Sequence, residues 1–265
     1  MTSKDIKWES VFSKKEFQRF LSDKDLKESC LISKPIRNEL KPFIFEKFSV
    51  DESTAELVSR LPNIDIRNFN DNLKFVDSVY ISCQIPELEF RTLLDYFNNV
   101  SEVQLNSLTL EPALFNTLFE GLLSLKFLEL NNVKILVRLH LIFTSTDCAL
   151  QVPLSLNKLV LKSCTCFIDS GNIPFCSESE DNLKKRDYYP FKGILSLRLQ
   201  NLTSLTILDT FSCDYKHVNY FLINNPKLKG LSLEYTGFDK DAWKSALTLN
   251  NLNHLSLSKC VNLSH

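Results

Sequence analysis

Glycine is scarce in this chain, five residues in 265, and the scarcity removes a class of chemistry. Neither G-x-x-x-x-G-K nor G-x-G-x-x-G occurs, so no glycine-rich loop can close its backbone around a phosphate. Histidine is thin as well, at positions 140, 217, 254 and 265, and none stands in an H-E-x-x-H pattern. An excess of either charge is missing too. The 31 Lys and Arg against 32 Asp and Glu leave a formal net charge of −1, which supplies no field for a nucleic-acid duplex or an anionic bilayer. The opening MTSKDIKWES lacks the apolar stretch of a secretory signal. The longest apolar run, VKILVRLHLIF (133–143), is too short to span hydrocarbon and is broken by Lys134, Arg138 and His140. These absences predict an intracellular protein, cytoplasmic or nuclear, that is not an enzyme and has neither nucleic acid nor membrane as a partner.

What the chain does have is apolar material. Hydrophobic residues make up 44% and charged residues 24%, enough for one sizeable core and too much for a mainly disordered chain. There are eight cysteines, and their one local cluster is Cys164, Cys166 and Cys176. Zinc sites ordinarily combine two close pairs, and Cys164-Thr-Cys166 is tighter than C-x2-C, so the expectation is buried thiols with no metal and no cofactor.

The strongest signal is an internal repeat of the form L-x-x-L-x-L-x-x-(N/C/L/T). Seven units carry it: VDSVYISCQ (76–84), VSEVQLNSL (100–108), LKFLELNNV (125–133), LNKLVLKSC (156–164), ILSLRLQNL (194–202), LKGLSLEYT (228–236) and LNHLSLSKC (252–260). Their fourth positions are Val79, Val103, Leu128, Leu159, Leu197, Leu231 and Leu255. In L-x-L the two apolar side chains of a strand point to one face and the middle residue to the other, so one face is buried. Between units the period turns helical: Phe90, Leu93, Leu94 and Phe97 share one face, and Leu114, Leu118, Phe119 and Leu122 share another, with Pro112 placed for a first helical turn. Each repeat is expected to be a strand, a turn and a helix, and stacked repeats bury a core that none could build alone. The ninth position holds Gln84, Leu108, Val133, Cys164, Leu202, Thr236 and Cys260, which places Cys164 and Cys260 inward. Residues 169–190, with Gly171, Pro174 and Pro190 and an acidic run before a basic one, are expected to be an inserted surface loop. FIFEKFSV (43–50) and LPNIDIRNF (61–69) both resemble strand units but lie too close together for both to be full repeats.

Over residues 70–265 the units resemble those of leucine-rich-repeat proteins of the ribonuclease-inhibitor-like class. That resemblance implies an α/β solenoid, a curved parallel β-sheet inside and helices outside, that binds another protein along its concave face. The third, fifth and seventh residues of each unit would form that face, and the candidates are Tyr80, Gln104, Phe127, Glu129, Lys158, Lys162, Arg198, Glu234 and His254. Exposed aromatics and Arg dominate binding hot spots, so Phe127 and Tyr80 are the expected anchors.

The first 48 residues read as a separate helical module before a repeat domain over 49–265. Phe17, Phe20 and Leu21 fall on one helical face, Ser22 is a cap with Asp25 three residues on, and Leu26 and Cys30 share a second helix that Pro35 should end or kink. FLSDKDLKESCLISKPIRNEL resembles the second half of an F-box. Asp25 and Leu26 match its D-L step, Leu31 and Ile32 its L-V pair, and Lys34 and Arg37 its basic positions. Ile36 replaces its aromatic, and the opening L-P-x-E is missing, with Trp8 only roughly where its Leu would be. An F-box followed by leucine-rich repeats is the arrangement of ubiquitin-ligase substrate receptors. The resemblance implies docking on the Skp adaptor of a cullin ligase through Phe17, Leu21, Leu26, Leu31, Ile32 and Ile36. The alternatives are a scaffold unrelated to ubiquitin, with the helices as a cap on the array, and, third, an enzyme.

Overall fold

A computed structural model of the chain gives the architecture of residues 11, 14–18, 20–56, 72–95, 97, 99–138, 150–169, 191–209, 215–234 and 240–259. The stretch 61–69 and nearly all of the 169–190 insertion lie outside these described residues, as do Trp8, Cys176 and Cys260.

Among the described residues the first helices are α1 (Lys15–Gln18), α2 (Asp23–Ser29) and α3 (Lys34–Ile44). Ser22 starts α2 with a reciprocal capping box. Its hydroxyl accepts from the Asp25 backbone N–H at 3.2 Å while the Asp25 carboxylate accepts from the Ser22 N–H at 3.0 Å. Ser33 caps α3 by accepting from the Ile36 N–H at 3.3 Å, with Pro35 in the first turn. Pro35 therefore begins a helix, contrary to the expectation that it ends or kinks one, because a missing N–H costs nothing where that N–H has no intrahelical partner. Leu26, Cys30, Ile36 and Leu40 form a small core of their own, with Leu21 and Ile44 packed against it.

The repeats then build one eight-stranded parallel sheet in the order β1-β2-β3-β5-β7-β9-β10-β11. Its strands are β1 (Lys47–Val50), β2 (Ser78–Ile81), β3 (Glu102–Asn106), β5 (Phe127–Asn131), β7 (Lys158–Lys162), β9 (Ser204–Leu208), β10 (Gly230–Glu234) and β11 (His254–Ser258). FIFEKFSV thus supplies the first strand. Helices α4 (Glu87–Asp95), α5 (Pro112–Glu120), α6 (Phe191–Ser196), α7 (Tyr215–Asn224) and α8 (Lys240–Leu247) line the other side. A helix is about 10 Å across and neighbouring strands are about 4.8 Å apart, so the stack curves with its sheet inside. The apolar positions on each strand, such as Val103 and Leu105 or Leu128 and Leu130, join helix residues such as Phe90, Phe115 and Phe221 in one continuous core. Each fully buried Leu or Phe contributes roughly 1.5–3 kcal/mol of transfer free energy.

The fifth unit departs from the sequence reading. ILSLRLQNL does not form the strand: Phe191, Ile194 and Leu195 are buried on one face of α6, and the strand is SLTIL, with Leu205 in register with Leu159 and Leu231. Both segments alternate apolar residues, L-x-L in ILSLRLQNL and L-x-I in SLTIL, but Phe191, Ile194 and Leu195 fall at i, i+3 and i+4, and that helical period decides. Most of the extra length in the middle of the array then lies between Leu159 and Leu205, and a smaller part between Leu128 and Leu159.

A second, three-stranded parallel sheet is a feature that the strand, turn and helix scheme lacks. It joins β4 (Thr109–Leu110), β6 (Lys134–Arg138) and β8 (Thr165–Asp169), so VKILVRLHLIF contributes a strand rather than only an apolar run. Gln84, expected inward, is exposed at its edge. Its amide donates to the Thr109 carbonyl at 3.0 Å and accepts from the Thr109 N–H at 3.0 Å, as the peptide group of a further strand would. Immediately after the last residue of five strands of the large sheet the chain turns through a left-handed residue, at one fixed position of the repeat: Ser107 (φ 56°), Asn132 (52°), Ser163 (48°), Asp209 (49°) and Lys259 (51°). The first four donate their N–H to the last strand residue of the next repeat: Asn131, Lys162, Leu208 and Glu234, at 2.8–3.2 Å.

Candidate functional site

The candidate surface is the inner face of the large sheet, and strand register fixes its layout in three columns. The first runs Lys47, Ser78, Glu102, Phe127, Lys158, Ser204, Gly230 and His254. The second runs Ser49, Tyr80, Gln104, Glu129, Val160, Thr206, Ser232 and Ser256, and the third passes from Asn106 through Asn131, Lys162, Leu208 and Glu234 to Ser258. Alternation puts these residues opposite the core because every second side chain of a strand points away from it. Tyr80, Gln104, Phe127, Glu129, Lys158, Lys162, Glu234 and His254 all stand on this face. Arg198 does not. It is exposed in the link between α6 and β9, a direct result of the shifted fifth unit.

The middle of the face is internally paired. Lys162 Nζ lies 2.7 Å from Glu129 Oε1, and Lys158 Nζ sits 4.7 Å from the centre of the Phe127 ring. Lys259 reaches Glu234 at 3.4 Å. Tyr80 accepts a hydrogen bond on its hydroxyl from Asn106 Nδ2 at 3.3 Å, which steers the ring while leaving it partly exposed. The C-terminal third is different in texture, with Ser204, Thr206, Gly230, Ser232 and Ser256 leaving a low, polar floor.

Toward the N-terminal end a cleft of about 760 Å³ opens between the helical module and the first three strands. Leu21, Leu26, Lys27 and Ile44 come to it from the module, and Lys47, Tyr80, Glu102 and Gln104 from the sheet. It was not foreseen in the sequence, since it exists only where residues far apart in the chain, from the N-terminal helices and from the sheet, come together.

The six adaptor candidates divide by burial. Leu26 and Ile36 belong to the module's own core, and Leu21 packs on it, so these side chains serve the module's fold first. Phe17 is half-buried. Leu31 and Ile32 lie in the turn between α2 and α3 and are 78% and 66% exposed, with Phe20 exposed nearby in sequence. Arg37 Nε ties that turn down by donating to the Cys30 carbonyl at 3.0 Å.

Among the described residues no group of three His, Cys, Asp or Glu side chains is placed to hold a metal ion. Cys164 is buried and its Sγ lies 3.4 Å from the Leu130 and Lys162 carbonyl oxygens, while Cys166 is half-buried. Burial pushes the Cys30 thiol up, and Cys83 is raised first by burial and then by Asp51 and Glu52. Neither is an activated nucleophile. No helix among the described residues is long and apolar enough to cross a membrane.

No protein-family model matches the chain, and no curated protein matches it. Among solved structures it is similar to the leucine-rich-repeat domain of LRIM1, at 12% identity and a TM-score of 0.35, over 81% of this chain and 75% of that one. It is similar to the APL1 leucine-rich-repeat domain at 15% identity and a TM-score of 0.32, over 74% of this chain and 53% of that one. A third is TLR13 in complex with ssRNA13, at 12% identity and a TM-score of 0.36, over 86% of this chain and 35% of that one. The assignment as a leucine-rich-repeat solenoid rests on the repeat and strand register of the chain itself.

Proposed function

We propose that the protein is a non-enzymatic binding module that holds a protein partner along the concave face of its sheet. The observation that carries this reading is a continuous eight-strand face on which aromatic and charged side chains are concentrated in the N-terminal and central strands: Tyr80, Glu102, Phe127, Glu129, Lys158 and Lys162. Two partly exposed aromatics set among charges of both signs are the composition of a protein-binding hot spot, and the near-zero net charge favours no polyanion. The test is quantitative co-purification from cells with the wild-type chain and a Tyr80→Ala, Phe127→Ala double variant. Proteins retained by the first and lost by the second, at an unchanged melting temperature, are the expected result; identical sets reject this face.

The helical module supports a finer reading, in which it docks the protein on the Skp adaptor of a cullin ubiquitin ligase and the repeats select the substrate. What favours it is that Leu31 and Ile32, the residues that match the F-box L-V pair, are exposed on a module that has its own small core. The experiment is binding of the purified adaptor to the full chain, with Leu31→Asp and Ile32→Asp as variants. Ile36→Asp is the wrong variant for this purpose, because it would place a carboxylate in the module's core. If the wild-type chain does not bind the adaptor, the module is a cap on the array and the protein a scaffold.

A further inference from the structure

We infer that the cleft between the helical module and the first three strands takes an amphipathic helix of the partner, with an acidic residue facing Lys47 and a basic residue two turns away facing Glu102. This rests on the concave-face reading and says which part of that face selects and what it selects. The charges provide the first reason. Along the concave face Glu129 is paired with Lys162 and Glu234 with Lys259, whereas Lys27, Glu46, Lys47 and Glu102, which all line the cleft, form no ion pair among the described residues. Charges already neutralised inside the molecule have little left to offer a ligand, while unpaired ones around an open cleft set partner choice and orientation.

Geometry supplies the second reason. Lys47, Ser78 and Glu102 are in register on three adjacent strands, so the positive and the negative group stand two strand spacings apart, about 10 Å. A helix laid across the strands has about 5.4 Å per turn, which places residues i, i+3 or i+4, and i+7 over successive strands, with i and i+7 separated by about 10.5 Å. An extended peptide presents side chains on one face about every 6.6 Å and falls out of step with both neighbouring strands. Tyr80, on the middle strand, with part of its ring exposed and its hydroxyl held by Asn106, receives the apolar residue at i+3 or i+4. The cleft volume of about 760 Å³ suits two turns of helix engaged along one face.

The test is a display library of helical peptides, randomised at their surface positions and selected on the full-length chain and on a Lys47→Glu, Glu102→Lys double variant. The expected result is an acidic residue at i and a basic residue at i+7 in peptides selected on the wild type, and the reverse order on the variant. A wild-type peptide should bind the variant at least about tenfold more weakly. Peptides without charge order, or with an order that the reversal leaves unchanged, overturn the inference. So does an empty selection. Binders lost with Phe127→Ala but indifferent to the reversal also overturn it, and leave the concave face standing as the binding surface. If the chain self-associates in sedimentation and the reversal abolishes this, a second copy fills the cleft and the inference is wrong.

Discussion

Leu231 and Leu255 hold the same position in neighbouring repeats, face the same side of the same sheet and pair in register, yet the first is 0% and the second 38% exposed. At the other end, β1 is also an outer strand, but Val50 is fully buried and Phe48 packs against Phe97 with ring centres 5.2 Å apart. The two ends of the sheet therefore differ in covering, not in pattern. An L-x-L unit says which way its apolar residues point. Whether they become core depends on the neighbour, which is the defining property of a stacked array.

Four experiments sharpen or break that comparison. The largest effect is expected inside the array: Leu231→Ala should cost about 2–5 kcal/mol in denaturant unfolding, and Leu255→Ala about 1 kcal/mol, because a site that is already open leaves no full cavity behind. Equal losses would mean that the repeat of β11 is packed as tightly as the rest. Next comes Asn225, a buried polar residue. It donates to the Leu197 and Phe221 carbonyls at 3.0 and 2.9 Å and accepts from the Leu199 N–H at 2.7 Å. Asn225→Ala strands those groups without partners and should cost about 2 kcal/mol by the same measurement. At an exposed edge, loss of the two bonds to Thr109 in Gln84→Ala should cost less, about 1 kcal/mol. A Gln84 effect larger than that of Asn225 would reverse the ranking of interior over edge.

The smallest effect concerns the N-terminal module and is read by acid titration. Hydrogen bonds from the Ser22 hydroxyl and N–H hold the Asp25 carboxyl below the ordinary aspartate range. A depressed folded-state pKa stabilises the fold above the unfolded-state value, and the contribution is lost as pH falls through the lower, folded-state value. Hydrogen exchange should therefore show α2 losing protection below the usual carboxylate range, with Asp25→Asn losing this acid sensitivity while the buried strands of either protein stay protected. An unchanged pH dependence in the variant would remove Asp25 as its cause.

The repeat, the strand direction and most of the concave face were legible because period-2 patterning is a direct record of burial on one side. Tyr80, Phe127, Glu129 and their neighbours could be placed from spacing alone. Arg198 was misplaced because ILSLRLQNL satisfies the strand pattern while its upstream Phe191 makes the helical period the better fit. Pro35 was misread because proline marks a helix start as readily as a stop, and only the Ser33 cap distinguishes them. The small sheet, the Gln84 edge and the Asn225 clasp depend on contacts between residues far apart in sequence, 25 to 28 positions for the last two, which no local pattern encodes. The cleft was illegible for the same reason.

The left-handed column has a consequence for how the array finds its alignment. Nearly identical apolar units can stack out of frame, a known hazard of repeat proteins. In a chain with five glycines, this strained position is filled by Ser, Asn, Ser, Asp and Lys, whose side chains can reach across the joint. Asn132 donates to the Ser107 hydroxyl at 3.2 Å, and the Ser163 hydroxyl to Asp209 at 3.2 Å. These two joints thus carry their own lock and key, an address that glycine would erase, and a repeat settling beside the wrong neighbour would find its address unanswered.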